Sequence, residues 1–142
     1  MKTIKTLHRI YLNPDMLTSV VEFYEDLFHK DYFIRFDYTE LNLTLVQLEG
    51  ILLLAGTNKT WEVLPDIKKT RITMIVDDIV EVQAYLSAQK NVMILRKPKE
   101  VPTGWNMTVE HQDGTITEYV QHDEDKVNLF KKEAEKLRFI NN

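Results

Sequence analysis

The sequence predicts an α+β fold built from two tandem βαβββ modules and closed by a C-terminal helix. Three observations lead there. The first is an internal repeat. Asn42-Leu43-Thr44-Leu45, followed by Gly50-Ile51-Leu52-Leu53-Leu54, returns in the second half as Asn106-Met107-Thr108-Val109, followed by Gly114-Thr115-Ile116-Thr117-Glu118. Val21-Glu22-Phe23-Tyr24 likewise returns as Val82-Gln83-Ala84-Tyr85. The second is the order of periodicities in each half, with one alternating stretch, one stretch of helical spacing, then further alternating stretches. The third is size. A chain of 142 residues, 44% of them hydrophobic, has room for one core. Two diverged copies of a unit of about 55 residues fill most of it. The expected division is a single domain over 1–142, with module one at 4–56, a linker at 57–67, module two at 68–121 and the C-terminal helix at 123–140.

Each element has a local reason. Residues 4 to 12 alternate, which places Ile4, Thr6, His8, Ile10 and Leu12 on one face and Lys5, Leu7, Arg9 and Tyr11 on the other. Asn13 is a good N-cap, Pro14 suits the first helical position and Asp15 suits the positive end of the helix dipole. The helix that follows carries Leu17, Val20, Val21, Tyr24, Leu27 and Phe28 at helical spacing. Tyr32 to Tyr38 is aromatic and β-rich, and 42–48 with 51–54 form a hairpin around Glu49-Gly50. In the second half, Arg71 to Val76 is a strand. Asp78 with Glu81 three residues on forms a capping-box pattern, and Ile79, Val82, Tyr85 and Leu86 make the buried stripe. Residues 92–95 are a strand, and 97–104, with two prolines, a loop. Trp105 to His111 and Thr115 to Val120 form the last hairpin, turned by Gln112-Asp113-Gly114. The tail repeats Val127, Phe130, Ala134 and Leu137 as an apolar stripe with charged residues between.

Composition excludes several classes. The net charge of -4 argues against a nucleic-acid surface. The chain has no cysteine, so neither disulfides nor thiolate metal sites are available. No apolar run approaches the roughly 20 residues of a membrane span. Met1-Lys2-Thr3-Ile4-Lys5 lacks the apolar stretch of a signal peptide. The expectation is a cytoplasmic protein with no membrane and no nucleic-acid partner. There is no Gly-rich phosphate loop, no Ser or Cys nucleophile motif and no HExxH.

Two consecutive βαβββ units resemble the vicinal oxygen chelate superfamily, which includes glyoxalase I, bleomycin-resistance proteins and extradiol dioxygenases. Phe23-Tyr24-Glu25-Asp26-Leu27 resembles its FYxxxLG helix motif, and Val76-Asp77-Asp78-Ile79 its VDD(I/L). His111-Gln112-Asp113-Gly114 with Glu118 resembles its HPDG…E ending. The resemblance implies a sheet curved into a cup with a small-molecule ligand inside it; a homodimer is expected because the tail helix of 124–138 offers a further apolar face. The resemblance also implies four metal-ligand positions, on the first and last strand of each unit. Carried onto this chain they read His8, Leu54, Arg71 and Glu118. His8 and Glu118 are the possible ligands of a divalent metal. Leu54 has no donor atom, and the Arg71 guanidinium stays protonated.

The expected site is therefore a cup with an incomplete metal set and no resident cofactor. Its ligand-binding residues are His8, Arg71, Glu118 and, as an aromatic wall, Trp105. Arg71 and Glu118 are expected to pair, either as a structural bridge or as a clamp for a polar ligand. The rival expectation is a lyase or dioxygenase that uses one divalent metal ion held by His8 and Glu118.

Overall fold

A computed structural model describes residues 2–132. Its strands are β1 (Thr3–Leu12), β2 (Ile34–Tyr38), β3 (Leu43–Leu48), β4 (Ile51–Gly56), β5 (Thr70–Val76), β6 (Met93–Val101), β7 (Gly104–Glu110) and β8 (Ile116–His122). Its α-helices are α1 (Leu17–Phe28), α2 (Asn58–Val63), α3 (Ile79–Ser87) and α4 (Glu124–Asn128). All eight strands join one strongly curled mixed sheet in the order β2-β3-β4-β1-β5-β8-β7-β6. The order is symmetric about the β1–β5 seam, where the two halves meet antiparallel. Each half runs strand, helix, three strands, as the repeat implies. Among the described residues no helix is long and apolar enough to cross a membrane.

Asn13 and Asp78 act as N-caps. Asn13 accepts a hydrogen bond from Asp15 N–H and opens a 3-10 turn, Pro14–Met16, that leads into α1. Asp78 accepts from Val80 and Glu81 N–H at the start of α3. In the last hairpin Asp113 accepts from Thr115 N–H and Gly114 takes φ 84°. The helices shield less than their stripes suggest. In α1 only Leu17 and Val21 are fully buried, while Leu27 and Phe28 are exposed; in α3 Tyr85 is exposed.

The curl sorts the core into two outer clusters and one inner one. Outside, α1 packs over Val46, Leu48, Leu53 and Ala55, with Ile10 and Leu12 beside them. Also outside, α3 packs over Met107, Val109 and Tyr119. Inside the curve lie Leu7, Leu43, Leu52, Leu54, Ile75 and Val120. A strand covered on both faces loses its polar side, so alternation no longer tells which face is which.

That loss of contrast reverses the expected face of β1. Leu7, Arg9 and Tyr11 point into the cup, and Ile10 and Leu12 lie under α1. The repeat also slips by one residue at its hairpins. Thr108 pairs with Glu118, but Leu54 pairs with Leu45 and not with Thr44. The cause is turn length. The first hairpin turns between Leu48 and Ile51, the second between Glu110 and Ile116. Thr44 thus faces outward and donates to Asp37, while Thr108 lines the cup.

Three further expectations change. The stretch 97–104, expected as a loop, is mostly β6, which continues through Pro98 to Val101. β6 is an edge strand, where a missing N–H is tolerated. The linker 57–67 contains α2, closed at its start by a reciprocal Thr57–Thr60 capping box. The helix expected over 123–140 begins as α4, which runs to Asn128, and Lys132 is helical again. Phe130 C=O then accepts from Arg35 N–H, and Lys131 bridges Ile34, so the chain caps the open edge at β2. The rest of that expected helix, beyond residue 132, lies outside the described residues.

Candidate functional site in the cup

Arg9 is the polar residue at the centre of the cup. It is only 8% exposed. Its Nη1 donates to Glu118 Oε1 at 3.0 Å and to Thr73 Oγ1 at 2.9 Å. Thr73 Oγ1 donates in turn to the same Glu118 oxygen at 3.0 Å. Asn106 Nδ2 donates to Glu118 Oε2 at 2.8 Å, so both carboxylate oxygens are engaged. Arg9 Nε donates to the Tyr11 hydroxyl at 2.8 Å, and that hydroxyl lies against the carbonyls of Ile67 and Thr70. Among the described residues Arg9 Nη2 makes no hydrogen bond and is not sealed from solvent. A buried guanidinium needs this many partners, because desolvating each ion costs several kcal/mol.

The register explains the assembly. Thr73 pairs with Leu7 on one side and with Glu118 on the other, so the β1–β5–β8 seam brings the three polar groups together. Thr108 pairs with Glu118 across β7, and Asn106 lies two residues before it on the same face. Burial pushes the Tyr11 phenol above 10.0, opposed in part by Arg9. Burial also raises Tyr38, with Glu40 and Glu118 adding to the shift. Both phenols therefore stay protonated at neutral pH.

Two connected spaces open on this network. The larger, about 310 Å³, is bounded by Arg9, Glu118, Asn106 and a wall of Leu43, Leu45 and Leu54. A smaller one of about 60 Å³ lies between Leu7, Phe36, Val120 and His122 and shares Tyr38, Leu45, Asn106 and Glu118 with the first. A groove of about 860 Å³ is lined by none of the network residues and shares only Gln47, Ile75 and His122 with the smaller cavity. Its size does not make it the centre of the chemistry.

The expected site residues fare differently. Glu118 is inside, as is Leu54. His8 is exposed on the opposite face of β1, so the inward polar residue is its neighbour Arg9. Arg71 is exposed too. Strict alternation from Thr73 would turn Arg71 inward, but β5 shifts register against β8 between Thr70 and Ile72. This bulge brings Thr70 to the cavity wall and turns Arg71 out. The expected Arg71–Glu118 pair is thus an Arg9–Glu118 pair. Trp105 shares the face of Met107 and Val109, the α3 side, and is 44% exposed. The tryptophan near the cup is Trp61, packed on the inner cluster with its ring edge-on to Tyr11 at 5.9 Å.

The residues nearest the four expected ligand positions on the inner face are Arg9, Leu54, Thr73 and Glu118. One carboxylate, one hydroxyl, an aliphatic and a cation do not make a divalent-metal set, which needs about three anionic or imidazole donors. A guanidinium beside the carboxylate repels any cation that approaches it. Among the described residues no group of three or more His, Cys, Asp and Glu could hold a metal. His111 is committed elsewhere, with Nε2 2.7 Å from the Tyr119 hydroxyl.

Comparisons with known proteins agree with the architecture. No protein-family profile matches the sequence, and no curated protein matches it. An uncharacterized protein from Methanosarcina mazei is 35% identical, with 87% of this chain and 95% of that one covered at a TM-score of 0.75. Methylmalonyl-CoA epimerase from Streptomyces coelicolor, in complex with 2-nitronate-propionyl-CoA, is 18% identical over 85% of this chain and 96% of its own, at a TM-score of 0.61. A hypothetical protein from Bacillus halodurans is 16% identical over 82% and 94%, at 0.60. The last two likenesses are of fold.

Two outcomes test this site. Arg9→Ala should cost about 1–3 kcal/mol in denaturant unfolding, because it strands a carboxylate that is still one-fifth exposed. Arg9→Met with Glu118→Leu should recover most of that loss, and His8→Ala and Arg71→Ala should stay within about 0.5 kcal/mol. Equal losses at Arg9 and Arg71 would contradict the assignment. The second outcome concerns pH. Burial holds the His122 imidazole below its ordinary 6.5, with Glu118 opposing. Its lowered value means the unfolded chain takes up the proton first. His122 therefore costs nothing above 6.5 and destabilises the fold as pH falls through the folded value. His122→Gln should flatten the stability profile between about pH 7 and 5; an unchanged slope would contradict it.

Proposed function

We propose that the chain is a member of the vicinal oxygen chelate superfamily and that it binds a small molecule in its cup around the Arg9–Glu118 pair, without a resident metal. One observation carries this reading. A buried guanidinium, tied to Glu118 and Thr73, stands at the floor of a cavity of about 310 Å³. A cavity of that size with an apolar wall and a few convergent polar groups is the ordinary form of a small-molecule site. Nη2 of Arg9, whose charge is already matched by Glu118, supplies a fixed donor for a neutral ligand oxygen such as a carbonyl or hydroxyl. The ligand of the S. coelicolor epimerase, a CoA thioester analogue, marks one class of molecule that this fold accommodates.

The rival reading, a metal-dependent lyase or dioxygenase that uses His8 and Glu118, loses its first ligand because His8 is exposed outside the cup. We propose in addition a cytoplasmic protein that acts as a homodimer. Phe23 and Leu27 on α1 are 59% and 56% exposed, which leaves an apolar helix face open to a second copy.

Elemental analysis of the untreated protein, joined to mass spectrometry of small molecules released on denaturation, tests the central reading. The expected result is far less than one divalent ion per chain, with an organic ligand in the released fraction. About one ion per chain, lost on Glu118→Ala, would overturn it. Sedimentation over a hundredfold range of concentration should show a dimer that dissociates on Phe23→Glu with Leu27→Glu. A monomer at every concentration would remove that part.

A further inference from the structure

The edge strand β6 turns two cations onto one face. Arg96 pairs with Thr108 and Lys99 pairs with Asn106, and the register shifts both before Arg96 and between Arg96 and Lys99. In a regular strand residues three apart face opposite ways. Here the irregularity at Lys97-Pro98 brings Lys99 back to the face of Arg96. Thr108 and Asn106 are both inner-face residues, so Arg96 and Lys99 stand at the rim of the cup, and both line its cavity of about 310 Å³. Bulges near sites re-aim side chains in this way.

These two cations have no counter-charge. Among the described residues neither makes an ion pair or a side-chain hydrogen bond. The acidic residues that line the same cavity are committed elsewhere: Glu118 to Arg9 at 3.0 Å, and Asp66 to Lys69 at 3.1 Å. The cup therefore joins an aliphatic wall to a rim with two unmatched positive charges.

We infer that the cup's ligand is an amphipathic organic anion. Its apolar body lies against Leu43, Leu45 and Leu54, and its carboxylate or phosphate lies between Arg96 and Lys99. This rests on the reading that the cup binds a small molecule. Both anion types offer the same recognition, several oxygens sharing a negative charge, and both suit an Arg with a Lys.

The test is a calorimetric titration of the full chain with octanoate, octyl phosphate, octanol and octylamine, each below its micellar concentration. One or both anions should bind about tenfold more tightly than octanol, and octylamine should be the weakest. Raising the ionic strength from about 0.05 to 0.5 M should narrow the gap between anion and alcohol. Arg96→Gln with Lys99→Gln should bring the anion-to-alcohol ratio close to one. Arg96→Lys with Lys99→Arg, which keeps both charges, should retain the preference. The tighter of the two anions identifies the headgroup. Octanol bound as tightly as both anions, or a preference that survives the double Gln variant, would overturn the anion class and leave the cup reading standing. Binding by none of the four would overturn both.

Discussion

The structure depends on one buried ion pair. Arg9 and Glu118 meet at the seam between the two halves of the sheet, one from β1 and the other from β8, with Thr73 of β5 between them. A charge placed inside a curved apolar sheet is tolerated only when partners surround it. The surrounding groups come from both halves: Tyr11 from the first, Thr73 and Asn106 from the second. The network therefore does two things. It makes the closing of the two halves on each other a condition of satisfying the charges. It also leaves a fixed guanidinium edge and a carboxylate at the floor of the cavity, where a ligand meets both. The same pair gives Glu118 a cation for a neighbour in place of the further donors that a divalent ion needs.

Irregular strands then adjust which side chains face inward. The bulge in β5 turns Arg71 out and brings Thr70 in. The irregularities of β6 bring Arg96 and Lys99 to one face. Without these shifts the positive charge of the cup would sit differently, with Arg71 inside and one of the two rim cations outside. The outer helices contribute by covering the convex side, through Leu17 and Val21 of α1 and Ile79, Val82 and Leu86 of α3. That cover lets the concave side stay open without exposing the backbone of the sheet.

Most of the fold was legible in the sequence, and the site only in part. Element order, caps and hairpins are local signals. Asn13, Asp78 and Asp113 each act within three residues of themselves. Faces are not local. β1 is apolar on both sides, so His8 and Arg9 are equally placed by alternation, and only packing against α1 decides between them. A buried Arg beside Leu7 and Tyr11 was available as a signal, since Lys5, Arg9 and Tyr11 share a parity with Leu7. The resemblance to metal-binding relatives drew attention to the His instead. Arg71 and Lys99 were hidden by bulges, which leave no reliable mark in one sequence, although Pro98 inside an extended stretch hints at one. Trp105 lies on the α3 face of β7, where alternation puts it with Met107 and Val109, and Trp61 reaches the inner cluster from α2, a linker helix that no strand periodicity describes. Glu118 and Leu54 sit on last strands whose inner faces the resemblance and the repeat both mark.

The central claim, that Arg9 is the cation at the heart of the cup, is tested most directly by arginine side-chain NMR with 15N labelling. A guanidinium held by Tyr11, Thr73 and Glu118 should give one Nε–H resonance, and resolved Nη protons, that exchange slowly with water, all lost in Arg9→Lys. Arginine resonances that all exchange at the rate of free side chains, or a protected resonance that disappears with Arg71→Lys and survives Arg9→Lys, would contradict the account.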